Sequence, residues 1–223
     1  MSKTLTKNLI AGLLATCASV AMALPVSFTV TGASLVGGAG YGVDSSENGG
    51  TLLNVGFNNN GFTSQSFSLA TIGASSTFQI GTVNFLEPQT TGGVLTTEQD
   101  QLGVIASLTF FLPFGANTQQ TITTTGVAVA GSVSDGAVDY TLTWAPVTNI
   151  DFGAGGLFDI SLNTLTFANN DGGAKALNAT VTLRQDVTAP PTGGTVPEPG
   201  SFALVALALG LTGLVSRRRR KAT

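Results

Sequence analysis

The chain of 223 residues contains no histidine and one cysteine, and only 9% of its residues are charged, where a soluble domain usually carries about 25%. Catalytic triads, cysteine–histidine nucleophiles and histidine-ligated zinc sites all need an imidazole, so these classes of site are excluded. The formal net charge of −3 conceals an uneven distribution, because most of the cations lie near the two ends of the sequence.

The first 23 residues have the composition of a secretory signal peptide. Two lysines precede the apolar stretch from Leu9 to Val20, and Ala21 and Ala23 supply small side chains at the two positions that a signal peptidase recognises. The pattern predicts a signal-peptide helix over residues 1–23, export through the Sec translocon, and cleavage by signal peptidase. We expect the mature chain to begin near Leu24.

The single cysteine, Cys17, lies inside this leader. The run from Leu14 to Cys17 loosely resembles a lipobox, which directs cleavage and acylation at a cysteine, but Thr16 stands where glycine, alanine or serine is usual. We favour the alternative that Cys17 is a small residue in the apolar core of the leader. The mature chain would then have no thiol for a disulfide or a metal site.

Between Leu24 and Asp186 the sequence alternates apolar and small polar residues with a period of two. β-branched and aromatic residues are abundant in the alternating runs, and glycine, asparagine, aspartate and serine separate them, as is typical of strands. The pattern predicts strands at residues 26–30, 52–57, 67–72, 77–82, 107–112, 121–129, 139–144, 158–162 and 178–184. We therefore predict an all-β domain over residues 24–186, an antiparallel β-sandwich of about nine to eleven strands.

Glycine-rich joints separate several of the predicted strands. Those at 37–40, 135–136 and 170–173 are expected to supply the positive φ angles that hairpins need. Residues 187–196, which contain paired prolines and paired glycines, are predicted to form a flexible linker. The domain of about 160 residues is large enough to bury a core without disulfides.

Residues 197–221 divide into three parts. Pro197, Glu198 and Pro199 precede an uncharged run from Ser201 to Ser216. This run would form a transmembrane helix of about 24 Å, short of the roughly 30 Å hydrocarbon core unless flanking residues extend it. Five adjacent cations then follow, which predicts that this end stays in the cytoplasm while the body lies outside; they are Arg217, Arg218, Arg219, Arg220 and Lys221.

The complete tail resembles the PEP-CTERM sorting signal of Gram-negative bacteria. The resemblance implies that the chain is a substrate of exosortase, a membrane-embedded, transpeptidase-like enzyme found in bacteria that make exopolysaccharide. It implies that the helix holds the chain in the membrane, that Arg217 to Arg220 stop transfer, and that the recognition motif is Val196, Pro197, Glu198 and Pro199. The basic run directly follows an apolar helix, which argues against a nucleic-acid site.

The body is similar over two short segments to the choice-of-anchor class of exported β-sandwich domains. These segments are residues 78–85 and 138–142. In one such group a Thr-His-x-Asn motif follows the phenylalanine and glycine of the first of these strands, whereas Val83, Asn84 and Phe85 stand at that place here and no histidine exists. No binding residue is therefore carried over from this class.

Acidic residues of the body could bind calcium, which takes oxygen ligands. Eleven acids lie in the body against Lys175 and Arg184, which argues against an anion or nucleic-acid site. The calcium candidates are Asp44 with Glu47, Asp151 with Asp159, and Asp171 with Asn169 and Asn170. None matches the spacing of a known calcium loop, and residues 169–173 also fit a hairpin turn. We predict no cofactor and no metal, with calcium as the open alternative.

Carbohydrate chemistry is the other possibility for the body. Glycoside hydrolysis needs two carboxyls about 5 to 9.5 Å apart in a cleft; Glu87, Glu98 and Asp100 are candidates, and a charged loop explains them equally well. Tyr140 and Trp144 point to one face of a predicted strand. They could form an aromatic platform for a sugar, although a buried core pair is the interpretation we favour.

The sequence therefore predicts a non-enzymatic exported protein. It would be held in the inner membrane with its body in the periplasm, processed by exosortase, and delivered to the cell surface or the extracellular matrix. There the sandwich would have a structural or adhesive role. The alternative is a carbohydrate-binding module for the exopolysaccharide, and a hydrolase that acts on this polymer is a third hypothesis.

Overall fold

The structure, a computed structural model, describes residues 24–45, 49–89, 92–168 and 173–187. The predicted signal peptide, the linker beyond Val187 and the whole sorting signal with its predicted transmembrane helix lie outside these residues. Within the described ranges, no helix has the length and apolar character needed to cross a membrane.

Twelve strands lie among the described residues, compared with the nine to eleven predicted. They are β1 (Val26–Gly37), β2 (Val55–Asn58), β3 (Gln65–Leu69), β4 (Ser75–Phe85), β5 (Gly103–Leu112), β6 (Thr118–Thr125), β7 (Val127–Ala128), β8 (Tyr140–Leu142), β9 (Val147–Asp151), β10 (Leu157–Leu162), β11 (Leu165–Phe167) and β12 (Lys175–Gln185). A 3₁₀ turn, Thr96–Glu98, precedes β5. The strand predicted over 121–129 is divided at Gly126, where the chain passes from β6 to β7 and so from one sheet to another.

The two larger sheets form the predicted antiparallel sandwich. One has the strand order β3-β1-β5-β6 and the other β2-β4-β12-β10-β9. Their inner faces meet through aromatic rings, because Phe28 of β1 and Phe110 of β5 both contact Phe158 of β10, with ring centroids 5.3 and 5.4 Å apart. Near one edge Phe67 of β3 lies 5.8 Å from Phe78 of β4. The core therefore lies between the two sheets, as sandwich packing requires.

The alternation of side chains along β12 shows why the period of two predicts this fold. Every second residue from Leu177 to Leu183 is fully buried, and the residues between them are Asn178, Thr180 and Thr182. Successive side chains of a strand point to opposite faces, so the apolar set enters the core and the polar set lies on the outer face.

A third sheet, of order β11-β8-β7, extends the core through a group of four rings that we call the tyrosine cluster. Tyr140 of β8 stacks on Phe85 at the end of β4, with centroids 6.0 Å apart and planes 8° apart. Phe167 of β11 lies 5.9 Å from Tyr140, and the Tyr41 ring is 6.3 Å away. The small sheet therefore buries its aromatic residues against the sandwich.

The glycines at 37–40 have a different role from the predicted one. Gly37, Gly38 and Gly40 do not have a positive φ, so that prediction was wrong for this joint. They permit close approach instead, since a Cβ on Gly38 would lie 2.8 Å from the carbonyl oxygen of Gly103. At Gly136 the φ is 79°, as the predicted turn requires.

Candidate functional site

The aromatic pair considered as a sugar platform is buried. Tyr140 is 0% exposed and Trp144 is 7% exposed, so neither ring offers a face to a saccharide. Tyr140 belongs to β8 of the third sheet, and its ring stacks on Phe85 at the end of β4. The hydroxyl of Thr124 on β6 donates to the carbonyl oxygen of Thr143, which fixes the backbone beside Trp144. The structure thus favours the core interpretation of this pair.

The hydroxyl of Tyr140 is also occupied inside the core. Tyr41 donates to the carbonyl oxygen of Leu102 at 3.0 Å, so Tyr140 is the donor in the 2.8 Å contact between the two hydroxyl oxygens. Burial raises the pKa of Tyr41 to about 12 and raises the pKa of Tyr140 as well. Both phenols are therefore neutral at physiological pH and stabilise the cluster by hydrogen bonding.

Two of the three carboxylates considered for glycoside hydrolysis are bound to the backbone inside the domain. Glu87 is 1% exposed and accepts from the amide of Asn54 at 2.8 Å. Glu98 is 0% exposed and accepts from the amide of Leu95 at 2.6 Å, whereas Asp100 is exposed. Buried carboxylates that accept backbone N–H groups hold loops in place, and this arrangement supports the loop interpretation.

Asp151 and Asp159 form one of the candidate calcium pairs, and each carboxylate accepts hydrogen bonds from different groups of the domain. Asp159 accepts from the guanidinium Nε of Arg184 at 2.5 Å and from the amide of Asn149 at 2.8 Å. Asp151 accepts from the amide of Gly153 at 2.7 Å. Across the described ranges, no three acidic, histidine or cysteine side chains form a group that could hold a metal ion.

Asp44, the other calcium candidate that the structure describes, stabilises a turn. Its Oδ2 accepts from the amides of Thr51 at 2.7 Å and Leu52 at 2.9 Å. The remaining calcium candidates lie outside the described residues: Glu47, Asn169, Asn170 and Asp171.

A groove that the sequence did not reveal lies between β3 and β4, at the edge of the sandwich. Its volume is about 420 Å³, within the roughly 300–1,000 Å³ that small-molecule sites occupy. We call it the amide groove because three amide side chains line it. Two threonine hydroxyls and one aromatic ring lie beside them, and the six residues are Asn58, Gln65, Gln79, Thr63, Thr82 and Phe62. None of the described residues that line it is charged.

The loop between β2 and β3 forms the rim of the groove and is fastened to β1. Asn59 Nδ2 donates to the carbonyl oxygen of Ala33 at 2.7 Å, and the Ser64 hydroxyl donates to that of Val30 at 3.0 Å. Within the loop, the amide of Phe62 donates to the carbonyl oxygen of Asn59 at 3.0 Å. These bonds fix both ends of the loop, so the rim is formed before any ligand arrives.

The floor of the groove depends on Gly81. A register shift between β4 and β12 leaves Ile80 and Gly81 both buried, which interrupts the alternation. A Cβ on Gly81 would lie 2.6 Å from the carbonyl oxygen of Asn58. Glycine therefore allows β2 to approach β4 at the point where Asn58 and Thr82 pair.

Comparison with known families identifies the tail. The family model for the PEP-CTERM protein-sorting motif matches residues 195–220. The chain carries a PEP-CTERM sorting motif. The matched range contains Val196 to Pro199 and Arg217 to Arg220, and the motif implies an exported protein that exosortase sorts and that is anchored in the membrane before processing.

No curated protein and no solved structure matches the chain of this PEP-CTERM protein. The resemblance of its body to choice-of-anchor domains therefore stays a prediction. The roles of individual residues in the sorting motif stay predictions as well, since these residues lie outside the described ranges.

Proposed function

We propose that this PEP-CTERM protein acts at the cell surface or in the exopolysaccharide matrix, where its β-sandwich has a structural or adhesive role and no catalytic one. Exosortase is the processing partner that the motif implies. Signal peptidase and the Sec translocon complete the proposed route. The observation that carries the surface role is the chemistry of the outer faces of the sandwich.

Hydroxyl groups line the outer face of the four-stranded sheet in cross-strand pairs. Ser27 lies opposite Ser68, and Thr29 lies opposite Ser66. The two hydroxyl oxygens of each pair are 3.3 Å apart. Each hydroxyl both donates and accepts, so this face can form hydrogen bonds with the hydroxyls of a polymer and needs no charge to do so.

The five-stranded sheet repeats this chemistry on the opposite side of the domain. Thr77 and Thr180 lie opposite each other, with hydroxyl oxygens 2.8 Å apart. Gln79 lies opposite Asn178 on the same two strands. Each of the two larger sheets therefore carries uncharged hydroxyl or amide pairs on its outer face, which suits a protein embedded in a hydrated polymer.

The two cations of the body are engaged by the domain itself. Arg184 pairs with Asp159 at 2.5 Å. Lys175 donates to the carbonyl oxygen of Thr166 at 2.6 Å and lies 4.7 Å from the ring centroid of Phe167. An anionic polymer would meet a predominantly acidic surface, which favours neutral partners.

The carbohydrate-binding alternative based on Tyr140 and Trp144 loses its support, because both rings are buried. The hydrolase hypothesis loses support for a similar reason, since Glu87 and Glu98 are buried and bound to backbone amides. We therefore propose neither activity at these residues.

The proposal can be tested with a strain that lacks this protein. We expect the processed chain in the matrix fraction of the parent strain, a several-fold loss of cell cohesion in the deletion strain, and recovery when the gene for the full chain is restored. Unchanged cohesion in the deletion strain would contradict the adhesive role. Release of soluble sugar from the exopolysaccharide by the purified full chain would contradict the non-enzymatic part.

A further inference from the structure

We propose that the amide groove binds a short segment of a neutral polysaccharide. This inference rests on the proposed function at the surface or in the matrix, and it assigns the binding to residues that the sequence did not single out. The three amide side chains that line the groove are Asn58, Gln65 and Gln79.

Local hydrogen bonds fix the donors and acceptors of these amides. Gln65 Nε2 donates to the carbonyl oxygen of Thr63 at 2.8 Å, and Gln79 Nε2 donates to that of Gly81 at 3.2 Å. Each glutamine therefore keeps its side-chain oxygen as an acceptor. Asn58 Oδ1 accepts from the amide of Asn60 at 2.8 Å, so Asn58 keeps its NH₂ group as a donor.

This pattern of acceptors and a donor complements a neutral sugar. Each sugar hydroxyl donates one hydrogen bond and accepts one or two, and the hydroxyls of Thr63 and Thr82 can do the same. The half-buried ring of Phe62 supplies an apolar surface against which the C–H groups of a sugar ring can pack. An ionic ligand would leave its charge without a partner here, which costs binding energy.

The groove is held in place before binding, which lowers the entropic cost of association. Its rim is fastened to β1 through Asn59 and Ser64. Its floor is formed by β4, where Gly81 packs against the backbone of Asn58. The side chains that would contact the sugar therefore lie on fixed backbone, as specific sites require.

The test uses the full chain, purified in a zwitterionic detergent that carries no sugar. It is applied to an array of neutral glucan, mannan, galactan and xylan oligosaccharides, with uronic-acid oligosaccharides on the same surface. We expect binding to at least one neutral class. The double variant Gln65→Ala/Gln79→Ala should bind that class about tenfold more weakly, since each lost hydrogen bond contributes modestly.

A matched control and a second variant keep the test independent of folding. Gln119→Ala removes an exposed amide from β6, at the far edge of the four-stranded sheet, and should leave binding unchanged. Gly61→Ile adds bulk at the rim, where a Cβ meets no atom within 4 Å, and should weaken binding while the thermal unfolding temperature stays the same.

Three results of the array experiment would contradict the proposal. Absence of binding to every neutral oligosaccharide, preference for uronic-acid oligosaccharides, or equal affinities of the double variant and wild type would each overturn the assignment of the groove. Fractionation of cells that express the wild-type chain distinguishes failure of the groove assignment from failure of the proposed function. Wild-type chain that reaches the matrix without binding sugar refutes the groove alone, whereas chain absent from the surface and the matrix refutes the proposed function.

Discussion

The body and the sorting tail carry charge of opposite sign. Residues 24–186 have a formal charge of −9, whereas residues 197–221 have +4 and the first 23 residues have +2. Seven of the nine cations therefore lie in the predicted signal peptide or in the sorting tail, and the two that remain make contacts within the domain. The difference indicates that delivery and surface chemistry reside in separate parts of the chain.

Changes in the tail should have the largest effect, and this effect is on processing. Substitution Glu198→Ala, or deletion of Arg217 to Lys221, should abolish conversion to the processed form, because each change removes a part of the sorting motif. The body should unfold at an unchanged temperature. Immunoblots of membrane and surface fractions measure the conversion.

The matched control for this experiment is Asp100→Ala, which removes an exposed acid from the body and should leave processing intact. Normal processing in both tail variants would refute the assignment of sorting to the tail.

In the body, the substitution Gly126→Ala should destabilise the fold without changing the sorting signal. An added Cβ would lie 2.6 Å from the Tyr140 hydroxyl oxygen, and overpacking of this kind costs about 3 kcal/mol at the upper end of its usual range. Gly103→Ala is the control, since a Cβ there meets no atom within 4 Å. Urea unfolding should separate the two variants, and equal midpoints would contradict the packing described for the tyrosine cluster.

A smaller effect is expected from the hydroxyls of the tyrosine cluster. Tyr140→Phe removes one buried hydrogen bond and should lower the free energy of unfolding by about 1 kcal/mol. Tyr41→Phe removes the bonds to both Tyr140 and Leu102 and should cost more. The reverse order in denaturant titrations would contradict the two hydrogen bonds assigned to the Tyr41 hydroxyl.

The smallest effect concerns the pH dependence of the body. Asp139 is buried, and burial together with the charge of Asp135 raises the pKa of its carboxyl above the ordinary 3.8. The folded state then binds this proton more tightly than the unfolded state, so the free energy of unfolding falls as the pH rises from 3.8 through the raised pKa. Asp139→Asn should flatten the pH dependence of the free energy of unfolding between pH 4 and 7. An unchanged slope would contradict the raised pKa of Asp139.

The sequence predicts the long strands because their alternation reflects burial on one face. β9 and β11 were not predicted, since β11 has three residues and β9 contains Asn149 with a φ of 57°, which interrupts the period. The division of the predicted strand at Gly126 depends on a tertiary contact, the hydrogen bond from its amide to the carbonyl oxygen of Leu102 at 2.7 Å.

Tertiary contacts also decide the candidate sites, and the local sequence does not predict them. Spacing places Tyr140 and Trp144 on one face, but the burial of both rings is decided by tertiary packing. The amide groove joins Asn58 of β2, Gln65 of β3 and Gln79 of β4, and only the association of these strands brings them together. Three consecutive asparagines before Gly61 were the local signal that such a polar loop existed.

The most direct test of the account is the intact mass of the chain recovered from the surface fraction, compared with the chain in the membrane fraction. We predict that the surface form lacks Arg217 to Lys221 and that Glu198→Ala cells contain only the membrane form with these residues. A surface form that retains the basic run, or a Glu198→Ala chain that loses it normally, would contradict exosortase sorting through this tail.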